Sequence, residues 1–116
     1  MTGYENLDVK SMALVIQVYS LVKQLPKEEN YALSDQIRRS AVSIPSNIAE
    51  GAARNSKKEF VQFIYIALGS LCELETQLLI ATNVGYLKNI DSINKALLSI
   101  KKMLNSSISS LKRQQP

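Results

Sequence analysis

Four successive segments of this chain repeat apolar residues at three- and four-residue spacing, with short polar breaks between them. That period is the one an α-helix needs to bury one face. No alternating strand pattern, Asn-Gly hairpin or solenoid-length repeat competes with it, so the spacing predicts packed helices. At 116 residues the chain is the size of one domain, 1–116, large enough to bury a modest core without disulfides or metals. The expectation is all-α: an up-and-down antiparallel four-helix bundle with helices over about 7–25, 31–52, 57–83 and 91–113.

Helix one carries Met12, Ile16 and Tyr19 as its predicted core stripe, reinforced by Val15, Val18 and Val22, and ends at Pro26. The link over 25–30 is short enough for an antiparallel return. Helix two sets Leu33, Ile37, Ala41, Ile44 and Ile48 on one stripe, with Asp35, Arg39, Ser43, Ser46 and Glu50 opposite. Pro45 interrupts it. Either the helix continues through a kink, which is preferred, or it restarts with Ser43 as cap and Pro45 in the first turn. Ser46 and Asn47 are placed to bond the backbone groups the proline frees. Gly51 reads as the terminator.

Ser56-Lys57-Lys58-Glu59 fits a capping box at the start of helix three. Its stripe Phe60, Ile64, Ala67, Leu71, Leu74, Leu78 and Ala81 is a sustained seam. A second stripe of Val61, Tyr65, Leu68, Cys72 and Leu79 lies beside it, which is more apolar surface than one core-facing arc. Val61, Tyr65, Leu68 and Cys72 are therefore candidates for a subunit interface. Asn83, Val84 and Gly85 end this helix, Tyr86 and Leu87 fold back as an apolar plug, and Asp91 caps helix four. Helix four buries Ile93, Leu97, Ile100, Leu104, Ile108 and Leu111.

The chain contains no histidine, no tryptophan and one cysteine. That closes Ser-His-Asp and Cys-His nucleophiles, ordinary zinc sites and Glu-x-x-His iron sites, and no metal or cofactor is expected. Glu73 and Glu75 sit two apart, on different sides of a helix, and suit structural contacts, with Arg38 or Arg39 as partners, better than paired acid–base work. Cys72 reads as a buried, inert thiol, and Tyr19 and Tyr65 as core or interface residues. Gly69 suits close approach of a neighbouring helix. The four glycines are scattered, so no phosphate-cradling loop exists. An enzyme is not expected.

Charge is uneven. Residues 1–75 are nearly balanced, whereas residues 76–116 hold six Lys/Arg against Asp91 alone. At about 100° per residue, Lys95, Lys102 and Arg113 fall together opposite the helix-four core stripe, with Lys101 and Lys112 flanking them. Arg54, Lys57 and Lys58 surround the start of helix three, where free N–H groups and the helix dipole favour an anion. These eight residues are the candidates for contact with RNA or DNA phosphates, although no aromatic is interleaved to stack bases and a solvated basic face has the same pattern. The polar start of the chain is unlike a signal peptide, and the longest apolar stretch, 60–72, falls short of the ~20 residues a bilayer needs. No membrane is expected, and one unpaired thiol suits the cytoplasm.

The run from Tyr31 through Ile37-Arg38-Arg39-Ser40 and Ile44-Pro45-Ser46-Asn47-Ile48-Ala49-Glu50 to Gly51, followed by 56–60 and 65–77, resembles the four helix bundle protein family, also called the 23S rRNA intervening-sequence protein family. Tyr4-Glu5-Asn6-Leu7 and Leu25-Pro26-Lys27-Glu28-Glu29 extend the resemblance to about residues 4–87; Ala52 and Ala53 depart from it, since an aromatic and a glycine are common there. The resemblance implies an up-down bundle assembling as a homopentamer, in a bacterial family some of whose members are encoded within insertions in rRNA genes. A related accessory protein of diversity-generating retroelements implies affinity for nucleic acid and a reverse transcriptase. The expected function is a non-enzymatic, self-associating bundle that holds a nucleic-acid backbone. The alternative is a scaffold docking a partner protein such as a polymerase.

Overall fold

The structure, a computed structural model, describes residues 3–115, with side chains from Asn6 onward. Met1, Thr2, Pro116 and the side chains of Tyr4 and Glu5 lie outside the described residues. Four helices make up the chain: α1 (Gly3–Val22), α2 (Leu33–Ala52), α3 (Lys57–Asn83) and α4 (Asp91–Arg113), with a single 3₁₀ turn at Lys27–Glu29. Among the described residues there is no strand. Helix α1 packs on α2, α2 on α3 and α3 on α4, and α4 closes back on α1, so that the diagonal pairs are not adjacent. The result is an up-down bundle of 50 × 24 × 21 Å.

Helices α3 and α4 bury the stripes their spacing predicts, from Phe60 to Ala81 and from Ile93 to Leu111. Helix α1 does not. Its core side is Leu7, Ser11, Leu14, Val18 and Val22, continued by Leu25, while Met12, Ile16 and Tyr19 face outward and Val15 is half-buried. The two apolar stripes lie roughly a third of a turn apart at about 100° per residue, so both have helical spacing and only one fits the bundle. Ser11 is tolerated inside because its hydroxyl donates to the Leu7 carbonyl at 2.8 Å. The helix also ends at Val22 rather than at Pro26: the amides of Lys23, Gln24 and Leu25 bond three residues back, tightening the last turn.

Helix α2 runs unbroken through Pro45. Asn47 donates to the Ser43 carbonyl at 2.7 Å and its hydroxyl at 2.9 Å, not to the Ala41 carbonyl that the proline ring leaves without its helical donor. Gly51 is not the terminator. It lies within the helix and is buried, and a Cβ there would stand 2.6 Å from Phe63 Cβ and 2.9 Å from Phe60 Cδ1. The glycine lets α2 and α3 close together where they meet. Gly69, expected to serve that purpose, faces open space.

Ser56 caps α3 by accepting from the Glu59 amide at 3.1 Å, and its hydroxyl donates to the Glu59 carboxylate at 3.3 Å. By length and composition α3 alone among the described helices could cross a membrane; the 60–72 stretch judged too short is part of a longer apolar helix. In this fold its main stripe is the bundle core, as in core helices generally. Gly85, at φ +90°, turns the chain, and the amides of Tyr86 and Leu87 both bond the Ala81 carbonyl. Leu87 is the expected plug. Asp91 is the first residue of α4 rather than its cap; its amide donates to the Asn89 side chain at 3.0 Å.

Tyr86 donates its hydroxyl to Glu29 at 3.2 Å, tying the α3–α4 link to the 3₁₀ turn. That bond, then desolvation, then the charges of Glu29 and Glu28, raise the phenol pKa above the ordinary 10.0. A raised pKa in the fold means the bond contributes fully below the unfolded value and is lost as pH rises through the folded one. Absorbance titration should therefore show a late component from Tyr86. Glu29→Gln should move that component to lower pH, and a titration identical for both proteins would contradict the tie.

Candidate nucleic-acid interface

The outer face of α4 is set by its core stripe. Residues that alternate with Leu97, Ile100 and Leu104 at half a turn point away from the bundle, which puts Lys95 and Lys102 in solvent, with Arg113 at the helix end. Among the described residues these three side chains make no ion pair or hydrogen bond. Ser106 and Ser109 are exposed beside them and Ser99 half-buried.

The flanking lysines behave differently. Lys101 is half-buried and donates to Glu75 Oε1 at 2.7 Å. That hydrogen bond raises its pKa above 10.5, against an opposing effect of burial, with the Glu75 charge and then Cys72 adding to the rise. As a half-exposed pair it contributes about 0–1 kcal/mol, present below the ordinary lysine pKa and lost at more alkaline pH. Lys112 donates to the Tyr65 hydroxyl at 2.9 Å, with its ammonium 5.2 Å from the ring centre. Both are turned toward α3 rather than outward.

Arg54 is held by Glu50 at 3.3 Å and lies 4.7 Å over the Phe63 ring. Lys57 and Lys58 are exposed, and with Ser56 they line a shallow groove whose other wall is Gln114 and Gln115. Because α3 and α4 are antiparallel, the start of one meets the end of the other. Only the Lys112–Arg113 end of the α4 group thus comes near Lys57 and Lys58, while Lys95 lies toward the opposite end of the bundle.

Glu73 and Glu75 do not reach Arg38 or Arg39. Glu73 accepts from the Ser40 hydroxyl at 2.9 Å and the Gln77 amide at 3.2 Å, part of a polar seam between α2 and α3 that includes Ser43 and Ser70 at 2.7 Å. Arg38 donates to the Asn30 carbonyl at 3.0 Å and Arg39 to Asp35 at 2.9 Å. Among the interface candidates, Val61 is only 5% exposed and belongs to the core, and Leu68 packs half-buried against it. Tyr65 and Cys72 are exposed, as is Leu79. The buried thiol expected at Cys72 is corrected: the bundle leaves that side of α3 outside. Among the described residues no group of three or more His, Cys, Asp or Glu could hold a metal.

Spacing alone also passed over Lys10, Gln17 and Gln24. They repeat every seven residues, Lys10 and Gln17 on the α1 side facing α4 and Gln24 just past the helix end, a polar stripe the apolar count ignores. Gln17 crosses to α4, donating to Ser92 at 3.0 Å.

The family model for the 23S rRNA-intervening sequence protein matches residues 5–106. A solved structure is similar across almost the whole bundle: a protein with unknown function from the S23 ribosomal protein family of Bacteroides thetaiotaomicron VPI-5482, 30% identical, covering 93% of this chain and 99% of its own, with a TM-score of 0.85. No curated protein matches significantly. A model spanning α1, α2, α3 and most of α4 places the chain by more than its fold: it belongs to the 23S rRNA-intervening sequence protein family.

Proposed function

We propose that this protein is a non-enzymatic, cytoplasmic bundle that self-associates into a ring of five copies and holds an RNA or DNA backbone on the outer faces of α4. The observation that carries the reading is the unpaired, outward trio Lys95, Lys102 and Arg113. Such cations contact phosphates without reading bases, and symmetry repeats a net +4 per chain around the ring.

The placement of apolar surface supports self-association. On α1, Val9, Met12, Ile16 and Tyr19 are exposed; Tyr19 shares a groove with Val42 of α2, so this strip flanks the α1–α2 side. On α3 the exposed strip of Tyr65, Cys72 and Leu79 flanks α4, where Tyr65 meets Lys112. The two strips lie on different sides of the bundle, the α1–α2 side and the α3–α4 side. One copy's α1–α2 side packed on the next copy's α3–α4 side covers both strips at once, a head-to-tail contact that makes a ring where the rotation from copy to copy closes.

A scaffold is the second reading, favoured by the open, apolar groove of about 540 Å³ along Val15, Ile16 and Tyr19, which suits a partner's helix. Light scattering with binding isotherms over several salt concentrations separates the two. A backbone binder loses affinity steeply with salt, and Lys95→Gln with Lys102→Gln lowers the log–log slope by about 2. Salt-insensitive or absent binding favours the scaffold.

A further inference from the structure

We infer that the groove between α1 and α4 is a ribose-reading site, so that the strand held by this face is single-stranded RNA rather than DNA. This rests on the nucleic-acid reading above. Two shallow hollows, about 180 and 220 Å³, lie along the α1–α4 groove and share Gln17. Their polar lining is Lys10, Gln17 and Ser20 from α1, Gln24 just beyond its end, and Asn89, Ser92 and Ser99 from the α4 side. Among the described residues no carboxylate and no aromatic lines either hollow.

Each feature bears on the ligand. Without an aromatic the groove offers no platform for bases, so it cannot hold a strand by stacking. Without a carboxylate it does not repel phosphate. Lys10 stands on one lip, unpaired among the described residues, and Lys95 and Lys102 flank Ser99 at four and three residues' distance on the other, placing cations on both sides.

Between the lips the amides and hydroxyls stand among apolar side chains, Leu21 and Ile90 in one hollow and Ala13 and Ala96 in the other. Gln17 Nε2 donates to Ser92 Oγ at 3.0 Å, which leaves the Gln17 amide oxygen as an acceptor and the Ser92 hydroxyl hydrogen as a donor at the same point. A ribose 2′-hydroxyl both donates and accepts, and that pair answers both functions. A deoxyribose offers neither. Losing such a contact amounts to about three- to tenfold in affinity.

The probes are a 20-residue oligouridylate and its 2′-deoxy counterpart, each titrated over several salt concentrations. Wild type is expected to favour the ribo-oligomer about three- to tenfold. Ser92→Ala should erase that preference and leave the salt slope unchanged, and Gln17→Leu should do the same; Ser92→Ala keeps the test valid if the Gln17 variant melts. Lys10→Gln with Lys102→Gln should weaken both oligomers alike and flatten the slope. Equal affinity for the two wild-type titrations, or a preference that survives both Gln17 and Ser92 changes, overturns the groove assignment alone. No salt-dependent binding of either oligomer overturns the nucleic-acid reading with it.

Discussion

Gly51→Val is expected to cost at least about 3 kcal/mol of folding stability, a large part of the roughly 5–15 kcal/mol that holds a domain of this size. The position is buried within α2, and the first added carbon would stand 2.6 Å from Phe63 Cβ and 2.9 Å from the Phe60 ring. Phe63 Cβ is fixed to the α3 backbone, so the side chain cannot swing aside and the two helices must separate. Gly51→Ala meets the same contact but regains about 1 kcal/mol of helix propensity, leaving a net loss of about 1–2 kcal/mol. Gly69→Ala is the matched control. It adds the same methyl to a helix, in open space, and should stabilise by about 0.5–1 kcal/mol. Thermal or urea melts of the three variants decide it, and a Gly51→Ala protein as stable as wild type would show that α2 and α3 are not closely packed at that point.

The pair of glycines also shows where a sequence can be read and where it cannot. Periodicity finds the core sides of α3 and α4 because each helix has one stripe that recurs without a gap from end to end. It succeeds only in part on α1, at Val18 and Val22, because Leu7 and Leu14 compete with Met12, Ile16 and Tyr19 at the same spacing. Only the neighbours α2 and α4 choose between them. Glycines are similar: Gly51 and Gly69 both sit in helical sequence, and the difference is whether a partner helix lies within reach, a property of the fold and not of the residue. In the candidate site, the outward trio of α4 follows from angle alone. The inward turn of Lys101 and Lys112 does not, because Glu75 and Tyr65, which draw them, lie 26 and 47 residues away. The Lys10, Gln17 and Gln24 stripe was open to the same angular reading, applied to polar residues.

Ile16→Glu is expected to dissolve the assembly while leaving the bundle folded. Ile16 is 72% exposed in the single chain and touches no part of the core, so helical content and the melting midpoint of the isolated subunit should be nearly unchanged. At the proposed contact between copies the same residue sits at the middle of the α1 strip. Burying it there contributes about 1.5–3 kcal/mol, and burying an unpaired carboxylate in its place costs several more, so each contact should weaken by about a thousandfold or more. In a closed ring every copy makes the same contact, and the loss falls on all of them together. Light scattering should move from an oligomer to a single 12.9 kDa chain at micromolar concentration, and Leu79→Glu, on the opposite strip, should do the same. Salt-dependent binding should weaken in parallel, because separate chains no longer present adjacent α4 faces to one strand. A wild-type protein that stays at one chain's mass at high concentration, or an Ile16→Glu protein that keeps the oligomer's mass, removes the ring and returns the exposed strip of α1 to the scaffold reading.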